Sequence, residues 1–179
     1  DELDMVFDFF PMRVPLTAAD QARAIHELES IAPPHLWPGV VYGNHDIARV
    51  ARRDGLAKAR LAALLLFTRR GTPFVYAGDE IGMTGMDIPP ALQQDPAGQR
   101  GGWNRDHART PMQWDDGPNA GFTAGDAPWL PIPPDYRSVN VAAQRSDTAS
   151  MLSLYRWLMR YRKGAPALLE GTFRPLATG

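Results

Sequence analysis

Cysteine is absent from the sequence, so disulfide bonds and thiolate metal sites are excluded from this chain. An excess of charge of one sign is also lacking, because 19 basic and 20 acidic side chains give a formal net charge of −1. That balance argues against nucleic acid or an anionic membrane as the main partner. No apolar run approaches the roughly 20 residues that a membrane-spanning helix needs. The lack of cysteine fits a reducing compartment, and a cytoplasmic location is therefore expected.

The residues that are present indicate a globular chain. Hydrophobic residues make up 44% of the 179 residues and charged residues 22%, which supports a proper core and argues against wholesale disorder. The sequence opens directly in a strand-like segment, without an initiator methionine or a leader. We therefore expect both ends to continue in a longer protein.

Strand and helix patterns alternate through the first half of the chain. Short apolar segments predict strands at 3–10, 40–42 and 72–77, and helical spacing of apolar residues predicts helices at 16–31 and 56–70. Links of this kind imply parallel strands covered by helices. Functional groups are then expected at the carboxyl ends of the strands.

The expected N-caps of the two helices are Thr17 and Asp54. From 81 to about 145 the periodic pattern breaks down, and aromatic residues among many glycines and prolines predict an ordered functional loop. Helical spacing resumes after Asp147 and ends at Gly164.

The first candidate site follows the second predicted strand, at Asn44, His45 and Asp46. A carboxylate beside an imidazole at a strand end can stabilise developing positive charge or bind sugar hydroxyls. The alternative is an Asx-type turn that leaves the strand, with Asp46 capping the next helix. The tripeptide by itself leaves both interpretations open.

A second candidate is the pair Asp79 and Glu80, which suggests a general acid and base. Neighbours on a strand point to opposite faces, however, whereas a retaining glycosidase needs two carboxyl groups roughly 5 Å apart. We therefore expect a structural role for this pair at the strand end.

The third candidate is the segment 103–115, which mixes arginines, carboxylates and indoles. Arginine forks bind carboxylates and donate to sugar hydroxyls, but internal Arg–Asp pairs that pin a loop are an equal alternative. Two histidines and two aspartates occur in these candidate segments, and their spacing is not that of metal ligands. Neither a metal nor another cofactor is expected.

Several motifs in a fixed order carry a resemblance over essentially the whole chain. They are Val-Val-Tyr-Gly-Asn-His-Asp at 40–46, Gly-Thr-Pro-Phe-Val-Tyr-Ala-Gly-Asp-Glu-Ile-Gly-Met at 71–83, Arg-Thr-Pro-Met-Gln-Trp-Asp at 109–115, Asn-Ala-Gly-Phe at 119–122 and Pro-Trp-Leu-Pro at 128–131. With these motifs the chain resembles the α-amylase superfamily, glycoside hydrolase family 13, and within it the α-glucosidase and oligo-1,6-glucosidase branch.

The resemblance implies an α/β fold, the C-terminal part of a TIM (β/α)8 barrel. The segment 3–10 would be the sixth strand, and the first two motifs the seventh and eighth. Residues 1–166 would then belong to the catalytic barrel, with 81–146 as a long loop after the eighth strand. Residues 167–179 would begin a C-terminal β-domain.

The resemblance also implies roles for single residues. Asp46 would be the family's third carboxylate, which binds sugar hydroxyls and stabilises the oxocarbenium-like transition state. His45 would help to hold the same ring, and Arg105 would contact the ring next to the scissile bond. Arg109 would be a support that acts through neighbouring carboxylates.

The family's nucleophile and acid/base lie at the ends of the fourth and fifth strands, upstream of this chain. Asp4 and Asp8, on the segment that resembles the sixth strand, are not catalytic by this interpretation. The isolated chain is therefore expected to be inactive. Because open sheet edges pair with other strands, it should either self-associate or exist only with the remainder of the barrel as a partner. The segment 47–49 departs from the commonest oligo-1,6-glucosidase pattern, which leaves the substrate linkage open.

The expected function is hydrolysis of terminal α-glucosidic bonds in oligosaccharides or disaccharides, with retention. One alternative is a glucosyl-transferring isomerase of the trehalose synthase or sucrose isomerase type, since such relatives share these motifs. Another is a non-catalytic transporter subunit with a glycosidase-like barrel. Such subunits tend to lose site residues, whereas this chain keeps Asp46 and both arginines.

Overall fold

Three short parallel strands lie side by side in chain order. The computed structural model describes residues 5–32, 36–174 and 176. The strands are β1 (Phe7–Asp8), β2 (Gly39–Val41) and β3 (Thr72–Phe74). In the register of the sheet, Gly39 lies opposite Phe7 on one side and opposite Thr72 on the other. The predicted parallel α/β arrangement is confirmed, although β1 and β3 are shorter than their apolar segments and β2 begins one residue earlier than predicted.

Helices follow the strands and continue to the end of the described chain. They are α1 (Ala18–Ile31), α2 (Val50–Asp54), α3 (Leu56–Thr68), α4 (Pro96–Gln99), α5 (Val141–Gln144), α6 (Met151–Lys163) and α7 (Pro166–Leu169). Residues 81–146, all of which the structure describes, hold only short helices and 3-10 turns, as expected of a long loop. Within the described part of the chain, no helix combines the length and apolar character that crossing a bilayer requires.

Of the two predicted helix N-caps, one is confirmed and the other is wrong. The Thr17 hydroxyl accepts the backbone N–H of Asp20 at 3.1 Å, so Thr17 is the N-cap of α1. Asp54 does not cap α3. It is the last residue of α2, and Gly55 occupies the N-cap position of α3 with φ of +83°. The sequence pattern predicted only the second of these helices, and a single glycine at positive φ separates it from α2.

Two further predictions concern the two ends of the chain. The predicted strand residues Leu3 and Asp4 lie outside the described residues. Helix α7 crosses the domain boundary expected after residue 166. That the following residues begin a β-domain stays a prediction.

The main core lies between the sheet and the helices α3 and α6. Val40 is fully buried under this layer, and Phe67 of α3 meets Tyr155 of α6 edge to face, with ring centroids 5.5 Å apart. Burial of each such side chain contributes about 1.5–3 kcal/mol. The α6 face predicted from helical spacing is confirmed, since Met151 and Leu158 are buried with Tyr155.

Two buried arginines join the helices to the strands. Arg69 pairs with Asp8 of β1 at 2.8 Å, and both side chains are buried. The sequence placed Arg69 in the last turn of α3, but it follows the helix as C-cap and its guanidinium reaches the sheet. Arg162 of α6 donates to the backbone carbonyls of Phe67, Arg69 and Gly71. These bonds satisfy carbonyl groups at the end of α3 that no helical N–H reaches.

Asp79 and Glu80 lie in a 3-10 turn, Asp79–Ile81, beyond the end of β3. The premise that they are strand neighbours is therefore wrong, but the structural role predicted for them agrees with their contacts. Asp79 lies 3.4 Å from Nη1 of Arg49, and Glu80 accepts the backbone N–H of Gly78. Both carboxylates are engaged with protein groups rather than facing each other across a site.

The carboxylate of Asp79 packs against the backbone of β2 where that strand ends. A Cβ atom at Gly43 would clash with Oδ2 of Asp79, so a side chain directly before Asn44 would require the Asp79 carboxylate to move. Burial raises the pKa of Asp79 from its ordinary value to about 6, because the charged carboxylate loses its hydration, and Arg49 offsets only part of that effect.

We expect replacement of Asp79 by Asn to change how stability depends on pH. The folded chain binds the Asp79 proton more tightly than the unfolded chain, so this contribution to stability is greatest below about pH 4 and is lost as the pH rises through 6. The loss amounts to up to roughly 3 kcal/mol. Urea denaturation at pH 4 and pH 7 should show that Asp79→Asn lacks this loss. The control Asp87→Asn, which alters an exposed ion pair, should keep it. Equal pH dependence of Asp79→Asn and the unmodified chain would contradict the assignment.

Candidate active site

The site begins where β2 leaves the sheet in a turn closed by Asn44. The Oδ1 atom of Asn44 accepts the backbone N–H groups of Asp46 and Ile47 at 2.9 and 3.2 Å, which is an Asx turn. The turn interpretation is therefore confirmed. Asp46 as the cap of the next helix is wrong, because Arg49 occupies the N-cap position of α2, and no side chain caps that helix there. The turn leaves the side chains of His45 and Asp46 61% and 47% exposed.

The structure brings together all four residues that the sequence singled out. Oδ1 of Asp46 lies 3.3 Å from Nε2 of His45, 3.3 Å from Nη1 of Arg105 and 3.5 Å from Nη2 of Arg109. Within the described residues, Oδ2 of Asp46 has no hydrogen-bond partner. Half-exposed ion pairs contribute only about 0–1 kcal/mol to stability. The arrangement therefore positions a carboxylate and does little to hold the fold together.

Arg105 is oriented by a buried carboxylate that sequence reasoning did not identify. Asp95 accepts Nε–H and Nη2–H of Arg105 at 2.8 and 2.9 Å, and also its backbone N–H at 3.0 Å. These bonds hold the pKa of Asp95 well below its usual range and raise the pKa of Arg105. The planar fork leaves Nη1 of Arg105 to reach Asp46.

A local signal did exist for Asp95. An aspartate before Pro96 is a helix N-cap pattern, and Asp95 does accept the N–H of Ala97 at the start of α4. That pattern predicts a cap but not a partner ten residues away. The alternative of a loop held by an internal Arg–Asp pair is thus correct for Arg105, which pairs with Asp95. The same guanidinium also reaches the Asp46 carboxylate.

Asp106 joins the two halves of the loop that presents Arg105. Its Oδ2 atom accepts the backbone N–H groups of Gln94 and Asp95 at 2.7 and 2.9 Å, and the amide of Asn104 at 3.3 Å. The side chain is buried, so this carboxylate is not open to a substrate. Asp106 fixes the backbone of Asp95 and, through it, Arg105.

Arg109 supports the turn of the first candidate site through the backbone of that turn. Its Nε–H donates to the backbone carbonyl of His45 at 3.0 Å. The hydroxyl of Tyr76, which follows β3, donates to the carbonyl of Ala108, and Arg49 lies over the Tyr76 ring with 4.7 Å to its centroid. Burial raises the pKa of the Tyr76 hydroxyl, which favours its donor role. The supporting role expected of Arg109 agrees with these contacts.

One indole lies at the rim of this cluster. Nε1–H of Trp103 donates to the backbone carbonyl of Asp46 at 3.2 Å. The indole also meets the ring of His107 edge to face, with centroids 6.0 Å apart. The sequence had placed both residues in a candidate segment without giving either a role.

The arrangement suits recognition of a polyhydroxylated ligand near a developing positive charge. A carboxylate with one oxygen held by cations and the other open can accept a ligand hydroxyl and stabilise a cationic centre. Among the residues that the structure describes, no three histidine or acidic side chains form a cluster able to hold a metal ion.

Comparison with curated sequences finds relatives that extend beyond this chain. An oligo-1,6-glucosidase of Parageobacillus thermoglucosidasius is 32% identical over 213 residues, which cover 96% of this chain and 37% of that protein. A salivary alpha-glucosidase of Anopheles gambiae is 38% identical over 164 residues, which cover 88% of this chain and 27% of the relative. The chain thus spans well under half the length of these relatives.

Solved structures give a concordant comparison. Trehalulose synthase MutB of Pseudomonas mesoacidophila superposes with a TM-score of 0.78 at 34% identity, and covers 92% of this chain and 34% of its own. The alpha-glucosyl transfer enzyme XgtA superposes with a TM-score of 0.80 at 33% identity, with coverage of 90% and 31%.

A family model joins these similarities. The model for the alpha amylase catalytic domain matches residues 7–171, which include every residue of the site described above. Together with relatives above 30% identity over most of the chain, this match shows that the protein belongs to the alpha-amylase family, glycoside hydrolase family 13, and that residues 7–171 are part of its catalytic domain.

Proposed function

We propose that this chain forms one side of the active site of a retaining glycosidase that cleaves terminal α-glucosidic bonds of oligosaccharides. The observation that carries the proposal is the convergence of His45, Arg105 and Arg109 on one oxygen of a half-exposed Asp46. The names of the relatives, oligo-1,6-glucosidase and salivary alpha-glucosidase, support an α-glucoside as the substrate class.

In the proposed reaction, Asp46 contacts the glucosyl ring at the bond that breaks. Its open Oδ2 accepts ring hydroxyls, and its negative charge stabilises the oxocarbenium-like transition state. Arg105 and His45 hold the same ring from the side of Oδ1. Arg109 keeps the turn in place through the His45 carbonyl, so its contribution is to geometry.

The three strands would be the sixth, seventh and eighth of an eight-stranded barrel. Their parallel order and helical connections support this placement, as does superposition on longer enzymes of the family. The edge strands also expose aromatic side chains, since Phe7 of β1 and Phe74 of β3 meet edge to face at 4.7 Å yet remain exposed. The remaining strands of the barrel would cover this surface and pair with the open edges.

The nucleophile and the acid/base would come from those remaining strands. Retention requires two carboxyl groups about 5 Å apart across the scissile bond. Among the described residues near the strand ends, Asp79, Asp95 and Asp106 are buried or nearly so and hydrogen-bonded to protein groups. None of these three carboxylates is open to the substrate that Asp46 would contact.

We expect the isolated 179-residue chain to release no p-nitrophenol from p-nitrophenyl α-glucoside, because the two reacting carboxylates are contributed from elsewhere. The intact mass of the same sample should be confirmed, and a protein with the whole barrel serves as the positive control. Turnover by a chain of verified mass would contradict the proposal and place the nucleophile within these residues.

In the protein with the whole barrel, Asp46→Asn should lower kcat by about 10²–10³-fold, because the amide cannot stabilise the cationic transition state. Steady-state kinetics on the same glucoside measure this effect, and the thermal midpoint shows whether the variant folds. Asp87→Asn, at an exposed ion pair, is the matched control and should leave kcat unchanged. A near-normal rate for Asp46→Asn would overturn its assigned role.

Glucosyl transfer is the second candidate function. The solved structures that match include a trehalulose synthase and an alpha-glucosyl transfer enzyme, so transfer to a sugar acceptor has support. We expect hydrolysis, with glucose and fructose as the products from sucrose when they are separated by chromatography. An isomeric disaccharide as the main product would favour transfer instead.

A further inference from the structure

We propose that Trp103 is the platform on which the sugar ring of the leaving group stacks, beside the glucosyl ring at Asp46. The inference rests on the proposed function and extends it to the second ring of the substrate. Trp103 has 69% of its surface exposed, more than any other tryptophan in the described residues. Indole faces are apolar, and so are the C–H faces of a pyranose ring, which makes the two complementary.

The exposed indole is held in one orientation. The bond from Nε1–H to the Asp46 carbonyl fixes the polar edge of the ring, and the His107 ring meets it edge to face with an interplanar angle of 89°. Tryptophan offers a large contact area and loses little conformational entropy when its side chain is already fixed. An indole held in this way is organised for binding before the ligand arrives.

The loop before Trp103 is exposed, and three glycines shape its backbone. Gly101 has φ of +77°, a conformation that side chains rarely adopt. A Cβ atom at Gly98 would lie 2.3 Å from Nδ2 of Asn104, and one at Gly102 would lie 3.0 Å from the carbonyl of Ala97. The backbone thus turns closely against the segment that carries Arg105.

Trp103 and Arg105 are two residues apart and both bond to Asp46, but at different atoms. Arg105 reaches the carboxylate, where the glucosyl ring is proposed to bind. Trp103 bonds to the backbone carbonyl and is mostly exposed, so it lies at the rim of the same site. An enzyme that cleaves terminal bonds encloses the terminal ring, and the next ring passes the rim. Trp103 is therefore placed for the leaving-group ring.

The test uses the protein with the whole barrel and two substrates that differ in the second ring. Maltose carries a sugar as its leaving group, whereas α-glucosyl fluoride carries none. Trp103→Ala should lower kcat/KM for maltose by about three- to tenfold, mainly through KM, and leave α-glucosyl fluoride within about twofold. Trp103→Phe, which keeps an aromatic face without the N–H donor, should recover most of the maltose activity.

The matched control is Trp157→Ala. Trp157 is 56% exposed but belongs to α6, where its ring stacks on Tyr161, so both substrates should be unaffected. An equal loss on maltose and α-glucosyl fluoride with Trp103→Ala would overturn the inference, since it would mean that the indole only props the Asp46 turn. Unchanged kinetics on both substrates would overturn it as well. If the unmodified enzyme cleaved neither substrate, the proposed function itself would fail, and the platform with it.

Discussion

The ion pair between Asp95 and Arg105 is the interaction on which the site depends. A guanidinium has five donors in a rigid plane, and Asp95 takes Nε–H and Nη2–H on one side of it. Nη1 lies at the other edge of the plane, where it donates to Asp46 on another part of the fold. Because Asp106 holds the backbone of Asp95, the orientation is set by buried groups and not by the exposed contact itself. Buried hydrogen bonds thus fix the position of the Arg105 side chain, although it lies on a loop without regular structure.

A second set of contacts holds the strand end from beneath. Asp79 fills the space that a side chain at Gly43 would need, so the chain passes close to the turn after β3. Arg49 joins this turn to the ring of Tyr76, whose hydroxyl reaches the segment before Arg109. The candidate site is thus supported both from the long loop and from the sheet. Trp103, at its exposed rim, is the residue proposed to contact the second ring of the ligand.

Sequence reasoning succeeded where the signal is periodic or local. Apolar segments located all three strands, helical spacing located α1, α3 and α6, and Thr17 was identified as a cap from its residue type and position. It failed where the signal lies in one dihedral angle or in a partner far along the chain. Gly55 separates α2 from α3 through a positive φ, which displaced the expected cap at Asp54. Asp95 pairs across an irregular loop, and no period marks such a pair.

The sequence by itself determined the parallel α/β class, the family resemblance that the comparisons confirm, and the identity of His45, Asp46, Arg105 and Arg109 as candidates. Residue type and order are enough for that, since motifs and hydrophobic periods are properties of the chain. Only the tertiary structure decided that the other three side chains converge on one oxygen of Asp46, because the two arginines come from a segment about 60 residues away. It also decided which carboxylates are buried and hydrogen-bonded to other groups of the protein. Burial and hydrogen bonding depend on packing between elements, and the linear sequence does not specify that directly.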